Sequence, residues 1–137
     1  MFPFTVIIIK QFLSDKSDTQ ILGLIEEFVR SKNEQNVERG SNSLVLKPNF
    51  FQLISSRYFG LIERGEFLIE NDRIVFKFNM YRLFLLGTIL CLVQYIGTKD
   101  TNITLFFFVG ICFGNLFIAF IKYTKMINTL VKEINNL

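Results

Sequence analysis

Two long uncharged, apolar runs constrain the fold of this chain more than any other feature. Residues 83–98 and 101–121 contain no charged side chain, and only Lys99 and Asp100 separate them. A helix that crosses the hydrocarbon core of a bilayer needs about 20 mostly apolar residues, with about 17 as a lower bound. The second run meets this length, and the first does so if Tyr81 and Arg82 lie among the headgroups. The sequence therefore predicts a transmembrane helical hairpin over residues 80–121. The alternative, two buried helices of a soluble protein, would have to cover "ITLFFFVGICFGNLFIAFI" on every side.

The basic residues near the ends of these runs predict the orientation of the hairpin. Its loop, "GTKDTN", contains Lys99 alone, whereas three basic residues precede the first run and three follow the second: Arg73, Lys77 and Arg82, then Lys122, Lys125 and Lys132. Lys and Arg are enriched in cytoplasmic loops. We therefore expect a two-span protein of the cell membrane with both termini in the cytoplasm.

Small residues occur at similar depths in both predicted spans. A turn centred near Asp100 places Gly87 level with Gly114 and Cys91 level with Gly110. The small-xxx-small spacing in each span allows close approach of helix backbones. We expect this seam to pack the hairpin, with Cys91 as a thiol rather than half of a disulfide. The second interpretation is that the seam also drives dimerisation or higher assembly.

Two amides, Gln94 and Asn115, are the intramembrane polar candidates. An amide without a partner is costly in hydrocarbon, so each should face a helix or water rather than lipid. An interhelical hydrogen bond is the expected role, and lining of a pore is the alternative.

Residues 1–79 read as an α+β cytoplasmic domain with a small antiparallel sheet and one helix. The β-branched run Thr5–Lys10 predicts a buried strand. Ser17 and Gln20 form a capping-box pattern at the start of a helix, whose predicted apolar face is Ile21, Leu24, Ile25, Phe28 and Val29. The polar stretch "SKNEQNVERGSNS" ends that helix, Ser43–Lys47 is a further strand, Pro48 is a break, and residues 51–62 hold one or two more strands.

The segment "GEFLIENDRIVFKF" predicts a β-hairpin. A two-residue turn at Asn71-Asp72 pairs apolar residues on one face, Ile69 with Ile74 and Phe67 with Phe76, and opposite charges on the other, Glu70 with Arg73 and Glu66 with Lys77. Since each cation has an acidic neighbour, we expect a solvated sheet face rather than a lipid or phosphate site.

The second hairpin strand leads almost directly into the first span. The strand is expected to end near Phe78 and the membrane helix to begin near Tyr81, with Asn79 and Met80 between them and Arg82 just inside the helix. So short a joint cannot act as a flexible tether. These five residues are the predicted coupling point between domain and membrane.

The C-terminal tail, residues 122–137, carries a heptad-like apolar pattern. Its positions are Tyr123, Ile127, Leu130, Ile134 and Leu137, and Met126 and Val131 widen the stripe. No Pro or Gly interrupts the chain after Gly114. We expect the second span to continue as one helix whose tail packs on the protein's own sheet, with self-association as a short coiled coil as the competing interpretation.

The composition argues against most catalytic and metal-binding functions. There is no histidine, and the only cysteines, Cys91 and Cys112, lie in apolar runs, so zinc sites and His-based catalysis lack their side chains. Residues 1–79 hold ten Lys/Arg and ten Asp/Glu, which leaves no basic footprint for nucleic acid. No phosphate-binding loop or nucleophile motif occurs. We expect no enzyme, no metal, no cofactor and no nucleic-acid partner.

These observations predict a non-enzymatic integral membrane protein whose cytoplasmic domain binds or senses a partner or ligand and is rigidly coupled to an oligomerising transmembrane hairpin. Such a protein could open a pore or perturb the membrane as an effector does. The alternative is a structural accessory subunit of a larger membrane complex. Besides the lipid bilayer, the expected partners are further copies of the chain or the other subunits of such a complex, and the sequence does not identify a ligand.

Overall fold

The structure is a computed structural model that describes residues 5–32, 34, 36–48, 58–59 and 62–137. It is an α+β fold in which a five-stranded antiparallel sheet is followed by two long apolar helices. The elements are β1 (Thr5–Gln11), α1 (Asp18–Ser31), β2 (Val37–Arg39), β3 (Ser43–Leu46), β4 (Arg64–Glu70), β5 (Arg73–Asn79), α2 (Tyr81–Thr98) and α3 (Thr101–Asn135). The strand order is β1-β5-β4-β3-β2.

The β4–β5 hairpin forms in the predicted register. Asn71 and Asp72 have φ values of 49° and 57°, the left-handed backbone that a two-residue type I′ turn requires. Phe67 pairs with Phe76 and Glu66 with Lys77, and the two phenylalanine rings lie 4.4 Å apart. The alternation of apolar and charged residues thus fixes which face of this hairpin is buried.

The β1 strand forms as predicted, but it is not a buried strand. Among the strands that the structure describes, it pairs only with β5, at one edge of the sheet. Ile8 is 5% exposed on the inner face, whereas Ile7 and Ile9 are 39% and 54% exposed on the outer face. A run of β-branched residues fits an edge strand as well as a central one, which is why the sequence pattern is ambiguous here.

Helix α1 begins at the predicted cap and covers the inner face of the sheet. The Gln20 side chain accepts a hydrogen bond from the Ser17 backbone N–H at 3.3 Å. The buried residues are Ile21, Leu22, Ile25 and Val29. Leu24 and Phe28, which the helical spacing also assigned to the core, are only partly buried because they line a groove between α1 and the end of α3.

Two parts of the predicted domain differ from the structure or fall outside it. The polar stretch after α1 contains a short strand, β2, which pairs with β3 at the second edge of the sheet. Charged residues are typical of such edges, and Glu38 of β2 forms an ion pair with Lys47 at 2.7 Å. The strands predicted within residues 51–62 lie largely outside the described residues, and Tyr58 and Phe59 form a turn.

Helix α3 runs without interruption from the second apolar run into the tail, as predicted. The Asp100 side chain caps its start by accepting hydrogen bonds from the N–H groups of Asn102 and Ile103. The tail packs on the protein's own sheet through buried residues on one face: Tyr123, Met126, Ile127, Leu130 and Ile134. Leu137, the last predicted heptad position, is 60% exposed because the helix ends before it.

Candidate functional site

The joint between β5 and α2 connects the sheet directly to the first of the two apolar helices. Met80 alone separates the two elements, and it is buried in the core. The Asn79 side chain accepts a hydrogen bond from the Tyr81 backbone N–H at 2.9 Å. The Arg82 guanidinium lies 3.4 Å from the Glu63 carboxylate. Together with buried Phe78, the residues predicted from sequence hold the start of α2 in one orientation on the sheet.

Tyr123 forms a second attachment, this time between α3 and the sheet. Its side chain is completely buried, and its ring lies 4.9 Å from that of Phe78 and 5.5 Å from that of Phe76. It also stacks on Phe59 at 6.0 Å. The sequence placed Tyr123 in the apolar stripe of the tail but did not reveal that it is the centre of an aromatic cluster. The sequence signal that could have predicted this cluster is the alternation of Phe76 and Phe78, which places both rings on the same face of β5.

A lysine and a tyrosine lie beside this cluster. The Lys122 ammonium donates a hydrogen bond to the Tyr58 carbonyl oxygen and lies 4.4 Å from the centre of the Tyr58 ring. Burial lowers the pKa of Lys122 and raises that of Tyr58. Burial, with Tyr58 nearby, raises the pKa of Tyr123 well above its usual range. The cation–π contact and hydrogen bond offset part of the desolvation cost of the Lys122 charge.

Helices α2 and α3 pack together, but not through the predicted pairs of small residues. A Cβ atom on Gly87 would lie 2.8 Å from the Cys112 Sγ and 3.6 Å from the Ile111 side chain. Gly87 therefore faces Cys112 rather than Gly114, and the predicted alignment is wrong. Matching residues by depth does not fix how each helix is rotated about its own axis. Cys91 and Cys112 are both buried free thiols.

Gly110 and Gly114 lie on the exposed side of α3, away from α2. Within the part of the chain that the structure describes, no atom apart from the chain neighbours and the surrounding backbone of α3 comes within 4 Å of the position a Cβ would take on either glycine. The neighbouring side chains on this face are exposed and aromatic or branched: Ile103, Phe106, Phe107, Phe113, Phe117 and Ile121. We call this surface, with its two glycines, the α3 glycine face. The packing of α2 against α3 does not cover this surface.

Among the described residues, Gln94 and Asn115 do not form the predicted hydrogen bond between helices. The Asn115 Nδ2 donates to the Ile111 carbonyl oxygen of its own helix at 2.7 Å. The Gln94 Oε1 is buried and has no hydrogen-bond partner among the described residues. An unsatisfied buried acceptor costs about 1–3 kcal/mol, so Gln94 is the more strained of the two positions.

A cavity of about 490 Å³ lies against the β5–α2 joint. It is bounded by the outer face of the sheet and the first residue of α2, and its lining is Thr5, Glu63, Arg64, Glu66, Lys77, Phe78, Asn79 and Tyr81. Glu66 and Lys77 are opposite each other in the β4–β5 register. Among the ion pairs of the described residues, however, none joins them. We call this site the junction cavity.

The described residues contain no group of three or more His, Cys, Asp or Glu side chains that could hold a metal ion. Comparison of the chain with protein-family models, curated proteins and solved structures finds no match. The site therefore has to be interpreted from its own geometry, which consists of two attachments of apolar helices to one sheet, an unused glycine face and a charged cavity.

Proposed function

We propose that this chain is an integral membrane protein that α2 and α3 anchor as a two-span hairpin. Both helices are long and apolar enough to cross a membrane, and only 17% and 11% of their most apolar segments are buried inside the protein. Core helices of a soluble protein would be mostly buried, whereas these expose many large apolar side chains. An exposed apolar surface of this extent is typical of contact with lipid.

The length of α3 supports a division into a span and a docked tail. Its 35 residues correspond to about 52 Å of helix, while the hydrocarbon core is about 30 Å thick. Residues 101–121 suffice for the crossing, and the tail that follows packs on the sheet. The sheet and both chain termini then lie on one side, which the basic residues near the span ends assign to the cytoplasm.

Accessibility of single cysteines tests this topology. In a chain with Cys91→Ala and Cys112→Ala, Lys99→Cys should react with a membrane-impermeant maleimide added outside intact cells, and Asn136→Cys should react only after lysis. Reaction of both positions before lysis, or of Lys99→Cys only after lysis, would contradict the proposed topology. Release of the chain from membranes by alkaline carbonate would contradict membrane insertion itself.

We further propose that the hairpin forms homo-oligomers through the α3 glycine face. Helix association in lipid depends on small residues that allow close backbone approach. Gly110 and Gly114 have the required spacing, and no described residue packs on them.

The sheet domain then acts as a non-enzymatic binding or sensing module coupled to this oligomer. The observation that carries this proposal is the double attachment: Met80 fixes α2 to β5, and Tyr123 fixes α3 to the inner face of the sheet. A shift of the sheet on binding a partner would therefore be transmitted to both spans. Opening of a pore or perturbation of the membrane is the output that such coupling could produce.

A structural accessory subunit is the second candidate, and the outer face of the sheet favours it. Ile7, Ile9 and Leu13 are 39%, 54% and 79% exposed at and beside the β1 edge. An exposed apolar edge of this kind is suited to a protein partner. In this function the hairpin would hold the sheet at the membrane for a larger complex.

Forced expression separates the two candidates. The effector function predicts that the chain depolarises cells and that Gly110→Leu with Gly114→Leu abolishes the effect, while Gly97→Leu, at a position of α2 that is equally open, leaves it intact. Harmless expression of a monomer that co-purifies with a larger partner would instead support the accessory subunit and contradict the effector.

A further inference from the structure

The junction cavity lies where a bilayer would place its headgroups. Its lining includes Asn79, the last residue of β5, and Tyr81, the first residue of α2. Tyrosine is enriched at the membrane–water interface, and large apolar side chains are exposed along α2 from Leu85 onward. A molecule with its polar end in the cavity could therefore extend its apolar part along α2.

The charges of the cavity are of both signs, and three of them have no partner among the residues that the structure describes. Glu63 is engaged by Arg82, but the Arg64, Glu66 and Lys77 side chains have no ion pair or hydrogen bond with the rest of the described chain. Glu66 and Lys77 are half-buried. Glu66 and Lys77 thus do not form the contact ion pair that the sequence pattern predicted, and both groups remain available to a ligand.

We infer that the junction cavity binds the headgroup of an aminophospholipid, with its phosphate at Lys77 and Arg64 and its ammonium at Glu66. Lysine and arginine donate charge-assisted hydrogen bonds to phosphate oxygens, and a primary ammonium has three donors for a carboxylate. The volume of about 490 Å³ falls within the range of about 300–1,000 Å³ that is usual for small-ligand sites. This inference rests on the proposed membrane insertion.

The ligand would link lipid composition to the coupling point. Lys77 belongs to β5, the strand that continues through Met80 into α2. A headgroup held between β5, β4 and the start of α2 would add contacts to the attachment that already joins sheet and span. The junction cavity would then make the orientation of α2 sensitive to the headgroup beside it.

Lipid retention by the full chain in nanodiscs tests the inference. The discs contain equal amounts of phosphatidylethanolamine and phosphatidylglycerol with matched acyl chains. After the protein is released from the disc, native mass spectrometry counts the molecules of each lipid that remain bound to it. Phosphatidylethanolamine should be retained in preference, because phosphatidylglycerol has the phosphate but no ammonium. Equal retention of both lipids would overturn the inference.

Two substitutions separate the roles of the charges. Glu66→Gln should lower retention of phosphatidylethanolamine about tenfold, the loss of one charge-assisted contact, without lowering retention of phosphatidylglycerol. Lys77→Gln should lower retention of both lipids. The matched controls Glu70→Gln and Arg73→Gln, which lie opposite each other in the register at the far end of the same hairpin, should change neither. If Glu66→Gln lowers both lipids equally, or if the controls act as strongly, the assignment is wrong.

A soluble competitor separates a lipid from a free ligand with the same chemistry. Phosphoethanolamine lacks acyl chains and should fail to displace the retained phosphatidylethanolamine at equal concentration, whereas displacement would overturn the lipid assignment. If the protein enters the discs but retains both lipids equally, this inference alone is refuted and the proposed membrane function stands. A chain that does not enter discs and is extracted by carbonate would refute the proposed membrane function, and the inference with it.

Discussion

Single residues decide how the two apolar helices are held. Tyr123 is the largest fully buried side chain described, and it joins α3 to rings from the sheet and from the turn at Tyr58. Gly87 holds α2 close to Cys112. The sequence identified both as packing residues, but it could not supply their partners. Those partners depend on the rotation of each helix and on contacts between distant segments, which apolar periodicity does not encode.

Removal of the Tyr123 ring should detach the tail from the sheet. We expect Tyr123→Ala to lower the free energy of unfolding in detergent by about 3–5 kcal/mol, as for large-to-small substitutions of buried aromatic residues. Tyr123→Phe keeps the ring and loses only the 3.4 Å hydrogen bond to the Tyr58 carbonyl, so about 1 kcal/mol or less is expected. Equal losses for the two variants would contradict the role of the ring.

The pH dependence of stability provides an independent check on Tyr123. Burial, and to a lesser degree Tyr58, raises its pKa in the folded state. A raised folded-state pKa contributes stability fully below the unfolded pKa of about 10 and loses it as pH rises beyond that value. Tyr123→Phe should therefore flatten the decline in unfolding free energy above about pH 10. A Tyr123→Phe profile parallel to that of the wild type would refute the assignment.

Substitution of glycines distinguishes the packed seam from the open positions. Gly87→Ala would bring a Cβ to 2.8 Å from the Cys112 Sγ, and such overpacking typically costs about 1–3 kcal/mol. Gly97→Ala meets no atom within 4 Å and should be neutral or slightly stabilising because alanine favours helix more than glycine does. Thermal unfolding of the two variants in the same detergent measures the difference, and similar melting temperatures would contradict the Gly87 contact.

At the level of elements, the sequence was most informative where periodicity and turn chemistry agree. The β4–β5 hairpin and its register follow from the turn at Asn71-Asp72 and the alternation around it. The short edge strand β2 has a single apolar residue, Val37, and gave no signal. The face of α1 was only partly predicted because Leu22, rather than Leu24, enters the core. Tertiary packing selects among neighbouring apolar positions on one helix.

The β5–α2 joint should behave as a rigid connection. Insertion of Gly-Ser-Gly after Asn79 separates Met80 and the Tyr81 N–H from their positions on the sheet. We expect folding and membrane insertion to persist, because the elements themselves are unchanged. The depolarisation proposed for forced expression should be impaired, because the sheet no longer holds α2. Spin labels at exposed Glu70 and Ile96, in a chain with Cys91→Ala and Cys112→Ala, should give a narrow distance distribution that the insertion broadens.

The matched control for this experiment is the same insertion between Lys99 and Asp100. That turn is exposed and joins α2 to α3 at the far end of the hairpin. The insertion at this turn should leave the spin-label distance distribution between Glu70 and Ile96 narrow. An equally narrow distribution after the insertion at Asn79 would mean that α3 alone positions the hairpin and that the short joint is incidental.

At the scale of the whole molecule, the sheet and the hairpin form one connected unit. The apolar runs predicted two helices, and the tail pattern predicted the docking of α3 on the sheet; the structure confirms that docking. The sequence did not predict that Gly110 and Gly114 would face away from α2. This orientation separates the packing seam of the hairpin from the surface proposed for self-association.

The mass of the purified protein in a mild detergent tests the central claim most directly. The proposed oligomer predicts one defined mass corresponding to several copies of the 16.0 kDa chain. Gly110→Leu with Gly114→Leu should reduce it to the monomer, because each leucine would occupy the space needed for close backbone approach. Gly97→Leu, on the other helix, should keep the oligomer. A monomeric wild-type chain, or an oligomer that survives both substitutions on the α3 glycine face, would contradict the account.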